Sequence, residues 1–149
     1  NIQVLTARWN QNFKAGALHW DNEVVYQKSS DAGIIPLPDL AVYSNLYLDF
    51  KLIKVLHLQL GADVHYFTKY YAPAYTAPTQ QFHLQRNTAI GNYPLAGAYL
   101  NGKLHQVRFF INFYNVTSSL INGAEHFSLP HYPVSPMVMK FGLSIDFNN

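Results

Sequence analysis

The stretch Met137-Val138-Met139-Lys140-Phe141-Gly142-Leu143-Ser144-Ile145-Asp146-Phe147 divides by parity into two kinds of residue. Met137, Met139, Phe141, Leu143, Ile145 and Phe147 are wholly apolar, whereas Val138, Lys140, Gly142, Ser144 and Asp146 are small, polar or charged. Side chains alternate faces along a strand, so one face of this segment meets an apolar medium and the other tolerates charge. Its eleven residues match the length that a tilted strand needs to cross a bilayer core. An apolar-out, polar-in strand ending on an aromatic is the closing strand expected of an outer-membrane β-barrel.

Working outward, composition sets the limits. The chain has 149 residues, 49% of them hydrophobic and only 12% charged. That length suits one domain with a sizeable core, but the charged share is about half that of ordinary soluble domains. No apolar run approaches the roughly 18 residues of a spanning helix. Two readings remain: a β protein with a large two-sided core, or a β-barrel whose apolar face meets lipid. Eleven Tyr, ten Phe and two Trp favour the second, because barrels carry aromatic girdles at both interfaces. A net charge of +2 without a Lys/Arg cluster gives no reason to expect nucleic acid. The absence of cysteine excludes disulfides and thiolate metal sites. A chain that starts at Asn1, with neither methionine nor signal peptide, is expected to be a mature, trimmed or excised segment.

The alternation predicts about seven strands. The first is Ile2–Trp9, followed by a polar turn at Asn10-Gln11-Asn12, and the second is Phe13–Tyr26. Breakers from Ser29 to Pro38 mark a loop. In the third, Leu40–Lys51, Leu40, Val42, Leu46, Leu48 and Phe50 oppose Asn45, Asp49 and Lys51, with Ser44 the one small polar residue on the apolar parity. A tight turn near Ile53-Lys54 leads to Val55–Phe67, where Leu56, Leu58, Leu60, Ala62, Val64 and Tyr66 oppose His57, Gln59, Gly61, Asp63 and His65. Thr68–Asn92 has no sustained period. Tyr93–Leu100 then reaches Asn101-Gly102, the strongest short hairpin signal in the chain. In Leu104–Val116, Val107, Phe109, Ile111 and Phe113 oppose Gln106, Arg108, Asn112 and Tyr114, and Thr117–Pro136 is a second long loop before the final strand.

The connections alternate short and long: the short ones lie near Gln11, Ile53 and Gly102. Outer-membrane barrels sort loops in this way, with short periplasmic turns and longer extracellular loops, whereas a soluble sandwich has no reason to. With the C-terminus in the periplasm, every short turn falls on that side. Seven strands then put the chain start outside, but single-chain bacterial barrels use an even count with both ends in the periplasm. Either one strand escapes the alternation or the chain is part of a longer barrel; the second is preferred, and the expectation is an all-β, antiparallel up-and-down transmembrane barrel of which residues 1–149 form the C-terminal segment.

Several segments resemble the putative porins of Bacteroidota, large outer-membrane β-barrel proteins, over most of the chain. They are LHWDNEVVYQKSS (18–30), LQLGADVHYFTKYYAPAYTAPTQQFHLQ (58–85), IGNYPLAGAYLNGKLHQVRFFINFYNV (90–116) and HYPVSPMVMKFGLSIDF (131–147). Tyr70–Pro73, Gly91-Asn92-Tyr93-Pro94 and Tyr132-Pro133 carry most of the match. The Tyr-Pro element is shared more loosely with TonB-dependent receptors of the same bacteria. Members are several times longer than this chain, in keeping with the strand parity. One departure is Asn148-Asn149 after Phe147, where a terminal aromatic is the commoner ending.

The non-lipid parity collects Asn45, Asp49, Lys51, His57, Gln59, Asp63, His65, Arg108, Asn112, Lys140 and Asp146. Mixed charges on a lumen wall create a transverse field that tunes which solutes pass; a solvated interior, or a surface packed on a plug, is the plain alternative. Trp9, Phe13, Phe50, Tyr99 and Phe147 gather near the turns, and Tyr26, Tyr66, Phe67, Tyr70, Tyr71 and Tyr114 near the opposite ends. These are read as two interfacial girdles. No metal site is expected. His57 and His65 lie eight residues apart, roughly 26 Å along a strand, and His126 and His131 lack spaced partner ligands. Ser118 and Ser119 near Glu125 and His126 lack a nucleophile elbow, so no enzyme and no cofactor are expected.

The function this implies is a porin-like channel for passive diffusion of small polar solutes across the bacterial outer membrane. The partners are membrane lipid, the missing N-terminal part of the barrel or partner chains, and a lipoprotein or plug. The alternatives are a soluble β-barrel or sandwich binding an apolar ligand, and a barrel serving as scaffold, receptor or secretion conduit.

Overall fold

The computed structural model describes residues 1–121 and 126–147. Long strands β1 (Val4–Ala15), β2 (Leu18–Ser29), β3 (Leu40–Leu52) and β4 (Leu56–Phe67) come first, followed by a small hairpin, β5 (Ala74–Thr76) and β6 (Gln81–His83). After β7 (Leu95–Leu104) and β8 (Val107–Tyr114) come a one-turn helix α1 (Thr117–Leu120), a second small hairpin, β9 (Phe127–Leu129) and β10 (Tyr132–Pro133), and finally β11 (Val138–Ile145). The seven long strands form one antiparallel sheet in the order β1-β2-β3-β4-β7-β8-β11. Each strand pairs with the next long one along the chain. Among the described residues the sheet is open: β1 pairs only with β2, and β11 only with β8.

The expected seven strands are present, but two turns fall elsewhere. Asn10-Gln11-Asn12 is not a turn; it lies inside β1, opposite Glu23, Asn22 and Asp21. The chain reverses at Gly16-Ala17, where Gly16 adopts φ 62°, so polarity alone was misleading where a positive φ was needed. Asn101-Gly102 likewise lies inside β7, and the reversal comes at His105-Gln106 with His105 at φ 53°. Gly102 serves close approach instead: a Cβ there would collide with the Phe109 ring. The turn at Ile53-Lys54 sits where expected, both residues at positive φ (53° and 62°). Short reversals at 16–17, 53–55 and 105–106 share one end of the sheet, and the long connections share the other.

Register joins the strand parities into two continuous faces. One carries rows such as Trp20–Leu46–Ala62–Ala98–Phe113–Met139 and Leu18–Leu48–Leu60–Leu100–Ile111–Phe141. It is interrupted where Gln11, Asn22 and Ser44 lie side by side. There the Ser44 hydroxyl donates to Asn22 Oδ1 (2.8 Å) and accepts from Trp20 Nε1 (2.9 Å), so the exception to the third strand's parity is a bonded polar group.

No second layer covers the apolar face among the described residues. Leu60 is 50% exposed and Phe141 78%. The chain presents 10583 Å² to a solvent probe, whereas a globular monomer of this size presents about 7,700 Å². Apart from Gly102, under the Phe109 ring, the buried residues among those described lie at the long-loop end: Ala72, Ala74, Ile90, Tyr93, Asn115, Thr117 and Pro130. There the Tyr93 hydroxyl donates to Asn115 Oδ1 (2.6 Å) and Asn115 Nδ2 donates to the Ser135 carbonyl (2.6 Å), tying the connection after β8 to the base of β7. Gln85 organises the connection after β4, donating to the Ala72 and Thr88 carbonyls while accepting from two backbone amides.

Candidate solute-facing surface

The face opposite the apolar one is banded. Next to the short turns, register aligns Lys51, His57, Lys103 and Arg108 on four adjacent strands, ending at Ser144. Arg108 Nη2 reaches Asp146 Oδ2 at 3.2 Å, which brings that residue to the band although β11 ends at Ile145. The next row is Asp49–Gln59–Asn101–Phe110–Gly142, in which Asn101 Nδ2 donates to Gln59 Oε1 (2.9 Å). Residues of these two rows line an open cavity of about 620 Å³.

Aromatic residues dominate the third row, His19–Tyr47–Gly61–Tyr99–Asn112–Lys140. The His19 and Tyr47 rings stack at 4.8 Å between centroids, 9° from parallel. Tyr47 and Tyr99 both lean over Gly61, where a Cβ would come within 2.6 Å of the Tyr99 ring and 2.7 Å of Tyr47 Cβ. Aromatic cover over a strand glycine is a known packing device in curved sheets. The fourth row, Asp21–Asn45–Asp63–Gly97, carries oxygen acceptors. Asn45 Oδ1 accepts from the Tyr99 hydroxyl (2.9 Å), and the Asp21 carboxylate lies one row from Tyr47. A fifth row, Glu23–Tyr43–His65–Leu95, brings two rings to 4.6 Å, while Glu23 is engaged by Arg8 at 2.8 Å.

All the polar residues singled out from the sequence thus lie on or beside one face. His19, Asp21, Tyr43, Tyr47 and Lys103 belong with them and were missed. Asp21 and His19 were hidden by a second strand drawn across the true turn. Tyr43 and Tyr47 share the parity of Asn45 and Asp49, so their position was legible; their aromatic character obscured it.

The expected girdle residues separate. Phe13 and Phe50 lie on the apolar face towards the short turns, where Phe13 stacks at 5.6 Å on Trp20, a residue the sequence reading omitted. Tyr26 and Tyr66 lie on the same face towards the long loops, the Tyr66 hydroxyl donating to Asn92 Oδ1 (2.8 Å). Trp9 sits midway along β1, and Phe147 follows the last strand. Tyr99 and Tyr114 are on the polar face instead; Lys140 Nζ lies 5.7 Å from the Tyr114 ring centroid. Both take the polar parity because residue 99 pairs with Gly61 and residue 114 with Val138.

Among the described residues no three His, Asp or Glu side chains converge as metal ligands. The Ser118 hydroxyl donates to the Asn115 carbonyl (2.8 Å) and accepts from the Met137 amide (2.9 Å), a loop-fastening role. His126 stacks at 3.8 Å on Tyr93, and Glu125 and Asn148-Asn149 lie outside the described residues.

A family model described as "putative porin" matches residues 1–149. The chain belongs to that family. No curated protein and no solved structure matches it. For this porin-family chain, two chemically opposed faces on a single sheet layer are the feature that function must use.

Proposed function

We propose that this chain is the C-terminal segment of an outer-membrane β-barrel that lets small polar solutes diffuse passively, without chemistry. The observation that carries the reading is the uncovered apolar face. A single-layer sheet with Leu, Phe, Met and Trp exposed across seven strands is unstable in water, because contiguous apolar patches of that extent drive association. In a bilayer the same face is solvated, and the backbone is satisfied once the sheet closes. The unpaired edges of β1 and β11 would be completed by upstream strands of a longer chain or by partner chains. Phe13, Trp20 and Phe50 would then sit at the periplasmic interface, with Tyr26 and Tyr66 at the outer one. The banded face would line the lumen, and the long connections would face the exterior, where a lipoprotein or plug could dock.

Membrane insertion gives the test. Full-length protein added to planar bilayers should produce stepwise conductance that vanishes when the protein is heat-denatured first. A folded, inserted barrel that stays electrically silent would remove the channel function while leaving the fold.

A further inference from the structure

We infer that the short-turn end of the polar face binds phosphate monoesters, the phosphate meeting Lys54, His57, Lys103 and His105 and the organic body lying in an adjoining cavity. This deepens the proposed channel function and rests on the polar face being the lumen wall. Pairing of Leu56 with Leu104 sets the β3–β4 and β7–β8 turns side by side. There a cavity of about 460 Å³ is lined by Lys54, Val55, His57, Lys103 and His105. Apart from Val55 the lining is Lys and His, with no carboxylate, and Lys51 extends the cationic row beyond His57. Neighbouring acids do not balance this charge. Among the described residues the Lys and Arg ion pairs join Arg8 to Glu23, Lys28 to Asp39 and Arg108 to Asp146, and neither Lys54 nor Lys103 enters one. Turn geometry does not account for the residue types either. Lys54 (φ 62°) and His105 (φ 53°) occupy the left-handed region, where Gly or Asn sits with less strain. Two basic residues are thus kept at backbone positions that disfavour them, and both line the same cavity.

The chemistry selects among anions. The larger cavity of about 620 Å³ shares His57 and Lys103 with the smaller one, and beyond them its wall changes character. The Asn101–Gln59 hydrogen bond leaves Gln59 Nε2 to donate and Asn101 Oδ1 to accept, while Phe110 lies across Gly142 and is 45% exposed. Such a wall suits a hydroxylated body with an apolar face. A phosphate monoester carries close to two negative charges and three acceptor oxygens, which match ammonium groups and imidazole N–H donors brought together from two turns. A carboxylate offers one charge and two oxygens. Asp49, on the wall of the larger cavity alone, sets the orientation: it repels the phosphate towards the turns and accepts from hydroxyls of the body.

The test uses the full-length protein in uncharged detergent micelles at low ionic strength and saturation-transfer NMR with glucose 6-phosphate, glucuronate and glucose. Glucose 6-phosphate should bind at least about tenfold more tightly than glucose, since two ammonium groups act on a dianion at short range, and more tightly than glucuronate. Inorganic phosphate should displace the ester only at severalfold higher concentration, because it leaves the larger cavity empty. Lys54→Gln with Lys103→Gln should remove the preference over glucose, whereas Lys28→Gln at the far end of the sheet should leave it. The wild-type ranking of the four compounds stands even if the paired variant folds poorly. Glucose or glucuronate binding as tightly as the ester, inorganic phosphate binding as tightly, or an unchanged preference in the paired variant would each overturn the inference. A conducting channel without the ranking refutes the site alone, and the ranking in a protein that gives no conductance refutes the channel alone.

Discussion

Replacing Leu60 by Arg tests the assignment of the faces most directly. Leu60 is 50% exposed on β4, flanked across strands by Leu48 and Leu100. It stands four residues from Leu56 at the short-turn end of the strand, about 14 Å along the backbone and, at a tilt near 40°, about 10 Å in height. An apolar band about 25 Å tall puts that position close to the midplane, where Arg costs about 2–4 kcal/mol. The folding equilibrium should therefore fall by roughly thirty- to several-hundred-fold. Gln59→Arg, one residue away on the other face, loses one exposed amide hydrogen bond to Asn101 and should cost about 1 kcal/mol or less. The assay is reversible urea unfolding of the complete barrel in lipid vesicles, followed by tryptophan fluorescence. If the same face met water, Arg at an exposed position would change stability by about 0.5 kcal/mol or less. A cost that small for Leu60→Arg, or equal costs on both faces, would refute the assignment.

Three further expectations follow from local geometry. Ile53 and Lys54 both hold positive φ, so Ile53→Asn with Lys54→Gly should stabilise the β3–β4 hairpin by about 1–2 kcal/mol, read as a higher urea midpoint. Asn115→Ala removes two short hydrogen bonds from a buried residue at φ 55°. It should loosen residues 115–137 by about 2–3 kcal/mol, seen as faster hydrogen exchange there with the sheet unchanged. At the base of the connection after β4, burial pushes the Tyr70 phenol above its ordinary value. Folding then favours the neutral form. Its contribution is complete below the unfolded value near about 10 and declines as pH rises through the folded one; Tyr70→Phe should lessen the alkaline loss of stability, and tyrosinate absorbance should lose one late-titrating phenol.

What the sequence determined by itself was local. A strand's two-residue period is written in consecutive side chains, so the apolar parity of Met139–Ile145, the opposition of Leu60 to Gln59 and the sorting of long and short connections could be read directly. Turn position was less legible, because Asn-Gly and Asn-x-Asn look like reversals wherever they occur. Gly16, the residue actually used, has a plain Ala-Gly-Ala context. Only the tertiary structure decided which residues from different strands share a row. Register depends on pairing between segments tens of residues apart, and a shift of two residues keeps every parity while changing every neighbour. That is why Asp21, Asn45 and Asp63, separated by 24 and 18 positions, emerge as one line of acceptors between two lines of rings. It is also why Tyr99, expected at an interface, lies over Gly61.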